Sequence, residues 1–229
     1  MDYTYDDIAK MIDHSLLNPV MTDEELEEGC RIAMEYEVIT VCIKPYYLSR
    51  AAEMLEGTCV KPTTTVGFPH GGHTTSIKVG EADTALADGA QELDMVVNIG
   101  KVLSGDWDYV QADIAAVVER GHAGDALVKV IFENCYLEDD HKKKLCEICG
   151  EVGPDFVKTS TGYGTGGATH HDLKLMREYS PDHIQVKAAG GVRSLDALLE
   201  VRELGVTRVG ASRTVTMLDE CKERLGIED

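Results

Sequence analysis

Four charged side chains stand in stretches that otherwise read as buried strand. Asp94 lies in Glu92-Leu93-Asp94-Met95-Val96-Val97-Asn98 and Lys129 in Val128-Lys129-Val130-Ile131-Phe132-Glu133. Lys158 lies in Asp155-Phe156-Val157-Lys158-Thr159 and Lys187 in Gln185-Val186-Lys187-Ala188-Ala189. A charged amine is costly to desolvate, so a lysine in such a run is either paired or pushed down towards a neutral, nucleophilic amine. Taken singly, each is as readily a rim charge at a strand end. Together, on successive strands, they point to one shared interior. Two neighbouring lysines repel as cations, which keeps one of them neutral near pH 7. A carboxylate such as Asp94 would hold the second ammonium or relay protons.

Glycine turns surround these runs. Gly162-Tyr163-Gly164-Thr165-Gly166-Gly167 follows Lys158, Gly190-Gly191-Val192-Arg193 follows Lys187, and Gly210-Ala211-Ser212-Arg213 precedes the last helix. Such turns bring backbone N–H groups, two of them at helix N-termini, close to an anion. An amine beside an anion cradle suits covalent chemistry on a phosphorylated carbonyl compound. The first loop is no dinucleotide fingerprint, because its six-residue spacing fails and its strand is the sixth, not the first. His70-Gly71-Gly72-His73 and His170-His171 lack carboxylate or cysteine partners at helical spacing and read as surface loops rather than metal ligands. Cys146-x-x-Cys149 falls inside a helix, where core packing explains it better than redox chemistry. Trp107, at a helix start, reads as packing.

The elements that must position these residues alternate regularly. Strands are expected over 13–17, 38–43, 60–68, 92–98, 126–133, 155–159, 183–187 and 206–210. Helices are expected over 5–12, from Thr22 to about Tyr36, and over 45–55, 75–88, 107–120, 137–149, 169–178, 194–204 and 214–225. Thr22 and Glu25 have the spacing of a capping box, and Pro19 argues for strand rather than helix just before it. Strand and helix repeating at roughly 25-residue intervals means parallel pairing with crossover helices. Eight units suit a closed (β/α)8 TIM barrel with a short N-terminal helix, ahead of an open doubly wound sheet. In a barrel the loops after strands seven and eight are the usual phosphate cradle. No Pro/Gly/Ser-rich linker divides the chain, so 1–229 is read as a single domain.

Composition narrows the partners. At 229 residues and 43% apolar content, one sizeable core is the default. A net charge of −19 argues against nucleic acid and anionic membranes and requires local positive groups for an anionic substrate. No apolar run is long enough for a membrane span, and the acidic first ten residues do not read as a secretory leader. Seven scattered cysteines fit reduced thiols in a cytoplasm.

From Ile12-Asp13-His14-Ser15-Leu16-Leu17 to Gly210-Ala211-Ser212 the chain resembles the deoxyribose-phosphate aldolases, class I enzymes of deoxynucleoside breakdown. The most specific pieces are Glu92-Leu93-Asp94-Met95-Val96-Val97-Asn98-Ile99-Gly100, Phe156-Val157-Lys158-Thr159-Ser160-Thr161-Gly162 and Val186-Lys187-Ala188-Ala189-Gly190-Gly191-Val192-Arg193. The resemblance implies the (β/α)8 fold, no metal or organic cofactor, and reversible cleavage of 2-deoxyribose 5-phosphate to glyceraldehyde 3-phosphate and acetaldehyde. By that similarity Lys158 forms the Schiff base, and Lys187 lowers its pKa and assists proton transfer. Asp94 acts with Lys187 through a bound water. Lys129 matches a lysine near the substrate hydroxyl, and Asp13 a carboxylate that steadies it. Gly162, Gly190, Gly191, Gly210 and Ser212 match the 5-phosphate site. A homo-oligomer, dimer or larger, is the expected assembly. Three departures stand out: Arg213 replaces a small hydroxyl residue, Lys44 replaces an Asn or Tyr, and the end at Glu228-Asp229 lacks a terminal tyrosine. The rival expectations are a lysine aldolase with another donor, a non-covalent phosphosugar isomerase using Asp94 as base, and a silent phosphate-binding barrel.

Overall fold

In the computed structural model, residues 3–227 are described; the terminal Glu228-Asp229 lies outside them. Eight parallel strands pair in chain order and close on themselves. They are β1 (Ile12–Leu16), β2 (Thr40–Ile43), β3 (Lys61–Val66), β4 (Glu92–Val96), β5 (Leu127–Ile131), β6 (Phe156–Lys158), β7 (Gln185–Ala189) and β8 (Arg208–Ala211). β8 returns to β1 through Ile12↔Val209 and Asp13↔Gly210, so the ring has no free edge.

α1 (Tyr5–Ala9) precedes the ring. The crossovers carry α2 (Asp23–Glu35), α3 (Leu48–Leu55), α4 (Thr75–Ala87), α5 (Ile99–Leu103), α6 (Trp107–Ala123), α7 (Asp139–Val152), α8 (His170–Tyr179) and α9 (Leu195–Glu203), and α10 (Thr214–Leu225) ends the fold. The Thr22–Glu25 capping box forms, with Thr22 N–H donating to Glu25 Oε2 at 2.7 Å and Glu25 N–H to Thr22 Oγ1 at 3.3 Å. Two departures from the sequence pattern matter. Pro45–Tyr47 is a separate 3-10 turn before α3, as Pro at a first helical position allows. The short α5 was not foreseen; Asn98 caps it by accepting from Lys101 N–H at 3.1 Å.

Strand periodicity decides what faces where. Leu93, Val128, Val130, Val157, Val186 and Val209 point outward and join the buried core beneath the helices. Their alternates Glu92, Asp94, Lys129, Lys158, Lys187 and Arg208 point inward, and all are buried. The outer layer is apolar and the barrel interior is ionic. Gly71 shows how tightly the loops close over it: φ is +65° and an added Cβ would stand 1.8 Å from Val97 O. Packing therefore accounts for Gly71, the first glycine between His70 and His73. Among the described residues no helix is long and apolar enough to cross a membrane.

Candidate active site

Lys158 is the last residue of β6, and register places it between Ile131 of β5 and Lys187 of β7. Its Nζ donates to Asp94 Oδ2 at 2.6 Å, and Lys187 Nζ donates to the same oxygen at 2.8 Å. The other oxygen, Oδ1, accepts from Lys129 Nζ at 2.7 Å. One carboxylate thus serves three lysines. Lys187 is also paired with Asp13 Oδ2, while Asp13 Oδ1 accepts from Arg208 at 2.7 Å. Glu92 closes the floor, 2.5 Å from Lys129 Nζ and 3.0 Å from Arg208.

Burial sets the direction of each titration, and the neighbours oppose or reinforce it. Lys158 is only 3% exposed. Its desolvation, opposed by Asp94 and reinforced by the Lys187 ammonium, holds its pKa below the usual lysine value. Burial alone would lower Lys187 too, but Asp13 and Asp94 outweigh it and the net shift is upward. Asp94 is held well below the carboxylate range: burial opposes its charge, but Lys129, Lys158 and Lys187 prevail. Of two adjacent amines, one is thus biased to the neutral nucleophile and the other to the charged acid. Asp94 touches both directly.

Above this cluster opens a cavity of about 430 Å³. Lys158 and Lys187 form its floor together with Asp13 and Cys42, whose thiol burial pushes up to about 11. The walls are glycine turns: Gly162, Gly190, Gly191, Gly210 and Ser212 all line the cavity. Gly162, Gly190 and Gly191 have φ of +88°, +76° and +101°, conformations other residues adopt only under strain. The first two turns touch backbone to backbone, and an added Cβ on Gly167 would stand 2.3 Å from Gly190 O.

Several functional candidates were not evident in the sequence. Arg193 lines the cavity and Arg213 does not, so the arginine at the glycine wall follows β7 rather than β8. Tyr163 covers one side, its hydroxyl donating to Leu17 O at 2.6 Å and its ring edge-on to Phe68 at 5.5 Å. Glu133, buried two residues beyond the end of β5 with φ +59°, accepts from Thr161 N–H at 3.2 Å and from its hydroxyl. It ties the loop after Lys158 to the neighbouring strand. Glu92 and Asp94, two apart, share one strand face; that spacing was the available signal for Glu92.

Other sequence candidates fall elsewhere. Lys129 does not line the cavity but lies beneath it, between Asp94 and Glu92. Lys44 turns to the loop after β1, donating to Met21 O at 3.0 Å and Asn18 O at 3.2 Å. His171 does have a carboxylate partner, Asp139 of α7 at 2.7 Å, which spacing within its own helix could not reveal. The position between Asp139 and Asp172 is taken by the Lys142 ammonium. Cys146 and Cys149 are buried and unpaired within α7, and Trp107 packs against the core.

A desolvated amine beside a second lysine and a shared carboxylate suits carbon–carbon cleavage through an imine, and barrel and amine together define a class I aldolase. The chain belongs to the DeoC/LacD family of aldolases, whose model matches residues 8–217. It is similar to the deoxyribose-phosphate aldolase of Rhodopirellula baltica, with 62% identity over 99% of this chain and 94% of that one. It is also similar to the deoxyribose-phosphate aldolase of Caldanaerobacter subterraneus, with 50% identity over 95% of this chain and 94% of that one. The tetrameric deoxyribose phosphate aldolase of Aeropyrum pernix superposes with a TM-score of 0.89 at 31% identity, covering 96% of this chain and 93% of that one.

Proposed function

We propose that this aldolase cleaves 2-deoxyribose 5-phosphate to glyceraldehyde 3-phosphate and acetaldehyde, with Lys158 as the Schiff-base residue. The observation that carries the reading is the position of Lys158: its pKa is lowered and its amine shares Asp94 with Lys187 at the floor of a glycine-walled cavity. Neutral Lys158 attacks C1 of the open-chain sugar, and loss of water gives an iminium. Removal of the proton from the C3 hydroxyl drives cleavage of the C2–C3 bond, whose electrons pass into the iminium to give an enamine. The enamine is protonated at C2, and water releases acetaldehyde. The iminium is the electron sink, so the chemistry calls for no metal or organic cofactor.

Lys187, charged and paired with Asp94, gives its proton to the hydroxyl that leaves as water when the iminium forms, then as a neutral amine takes the C3 hydroxyl proton and passes it to C2, and Asp94 holds the two amines in register. Gly162, Gly190, Gly191, Gly210 and Ser212 hold the phosphate through backbone and hydroxyl groups, with Arg193 supplying a counter-charge that an overall acidic chain otherwise lacks. Lys129, out of reach of the cavity, acts on the substrate only through Asp94. Assembly as a homo-oligomer is supported by the tetrameric relative, and a cytoplasmic setting by the unpaired state of all seven cysteines.

Borohydride added with acetaldehyde is expected to leave an ethyl group on Lys158, located by peptide mass mapping, and Lys158→Met is expected to abolish both labelling and turnover. An unmodified Lys158 in a fully active enzyme would end the assignment.

A further inference from the structure

The titratable groups facing the barrel interior can be taken strand by strand. β1 gives Asp13, β2 Cys42, β4 Glu92 and Asp94, β5 Lys129, β6 Lys158, β7 Lys187 and β8 Arg208, while β3 gives threonines. At the rim, Glu133 is held by Thr161, and the Tyr163 hydroxyl is tied to Leu17 O. The Cys42 thiol is pushed up to about 11 and carries no charge at neutral pH.

The ionised set is then three carboxylates (Asp13, Glu92 and Asp94) against three cations (Lys129, Lys187 and Arg208), with Lys158 left over. The contacts are those of a closed circuit. Arg208 bridges Asp13 and Glu92, Lys129 bridges Glu92 and Asp94, and Lys187 bridges Asp94 and Asp13. Each cation has at least two carboxylates and each carboxylate at least two cations, Lys129 also lying 3.6 Å from Asp13. A protonated Lys158 adds an uncompensated positive charge to an interior that has little water to screen it.

We propose that Glu92 and Arg208, neither of which touches Lys158 or the cavity, are positioning residues that set the protonation of Lys158 through the charge circuit beneath it, Arg208 holding it neutral and Glu92 balancing the charge of Arg208. Arg208 occupies the second cation place on Asp13. Without it, only two cations oppose three carboxylates, and the balance is restored by a proton on Lys158. Without the Glu92 carboxylate the interior carries excess positive charge, and Lys158 gives up its proton more easily still. Register puts Lys158, Lys187 and Arg208 at the same level on β6, β7 and β8. Arg208 is therefore two strand spacings, about 10 Å, from Lys158 along the sheet. A unit charge at about that distance, in surroundings of effective dielectric about 20, moves an amine pKa by about one unit.

The inference rests on the Schiff-base assignment of Lys158, so its test reads the amine without requiring turnover. The rate of reductive methylation of Lys158 by formaldehyde and cyanoborohydride, mapped by mass spectrometry across pH, gives its titration midpoint. Arg208→Met is expected to raise the midpoint by about one pH unit and Glu92→Gln to lower it by a similar amount. The double variant, with the circuit balanced again, is expected near wild type, as is the charge-conserving Arg208→Lys. If Arg208→Met does not fold, Glu92→Gln and Arg208→Lys still decide the matter. Midpoints that stay fixed, or that move the same way in Arg208→Met and Glu92→Gln, overturn the proposal. Failure of the acetaldehyde trap in wild-type protein strikes instead at the assignment of the reaction.

Discussion

Gly167→Ala separates the two walls of the cavity without touching any ionisable group. The new methyl would stand 2.3 Å from Gly190 O, 2.5 Å from Gly190 C and 2.9 Å from Gly190 Cα, all backbone atoms. No rotamer change relieves such a clash, so the 162–167 and 190–191 turns must part by about 1 Å to reach ordinary contact, and a misplacement of about that size costs on the order of 100-fold in rate. The loss falls on the phosphate side, because Lys158, Lys187 and Asp94 are fixed by their own pairs on the strands. With deoxyribose 5-phosphate, kcat/KM is expected to drop about 100-fold, mostly through KM. With unphosphorylated deoxyribose the variant should be nearly as active as wild type, and acetaldehyde trapping on Lys158 should persist. Gly166→Ala is the control, since its Cβ meets only Cys135 Cβ at 3.3 Å. Equal losses on the two sugars, or no loss on the phosphorylated one, would refute the division of the cavity into a reacting floor and an anion-holding wall.

Two further tests concern stability. Burial of His14, whose Nδ1 lies 2.7 Å from Thr214 Oγ1, lowers its pKa from 6.5 to about 4. The folded state then binds fewer protons than the unfolded chain between those values, so stability falls as pH drops through the window; between pH 7 and pH 5 the loss from this group is about 2 kcal/mol. Urea titrations at the two pH values should show that loss, and His14→Gln should flatten it. The second test concerns Lys78, buried between α4 and α6, which donates to Asp113 Oδ2 at 2.5 Å and Val96 O at 2.8 Å. Lys78→Met alone should cost about 3–5 kcal/mol by leaving Asp113 charged and unpaired, whereas adding Asp113→Leu should recover much of it; a double variant as unstable as the single one would contradict this.

The parts of the site legible in the sequence were those where charge breaks an apolar run. Asp94, Lys158 and Lys187 each interrupt such a run, and strand counting placed them on the fourth, sixth and seventh of eight strands, as the barrel has them. Depth was less legible. Lys129 has the same sequence setting as Lys158 but sits two residues lower relative to β6, opposite Phe156, and so lies beneath the cavity. Arg208 and Glu92 stand at the first positions of their strands, where a charge reads as solvent-exposed until the register of all eight strands is known. The Glu133–Thr161 tie joins residues 28 apart, and the left-handed backbone of Glu133 carries no compositional mark. Arg193 and Arg213 both follow glycine turns; which one reaches the cavity depends on the geometry of the turn and not on its spelling.

The charge circuit also bears on how the chain folds. Asp13 and Arg208 are 195 residues apart, and their contact forms only when the last strand meets the first. Until then the growing sheet has two open edges, the usual template for pairing with another chain. The inward face of that unfinished sheet carries Asp94, Lys129, Lys158 and Lys187, charges that a foreign apolar strand or a second copy could not bury without leaving some unpaired. The side chains that fill the finished barrel with charge thus guard the unfinished one against misassembly. An exposed, fully hydrated Lys158 keeps an ordinary amine pKa and stays protonated, so a nascent chain carries no amine of lowered pKa at this position until its ring is complete.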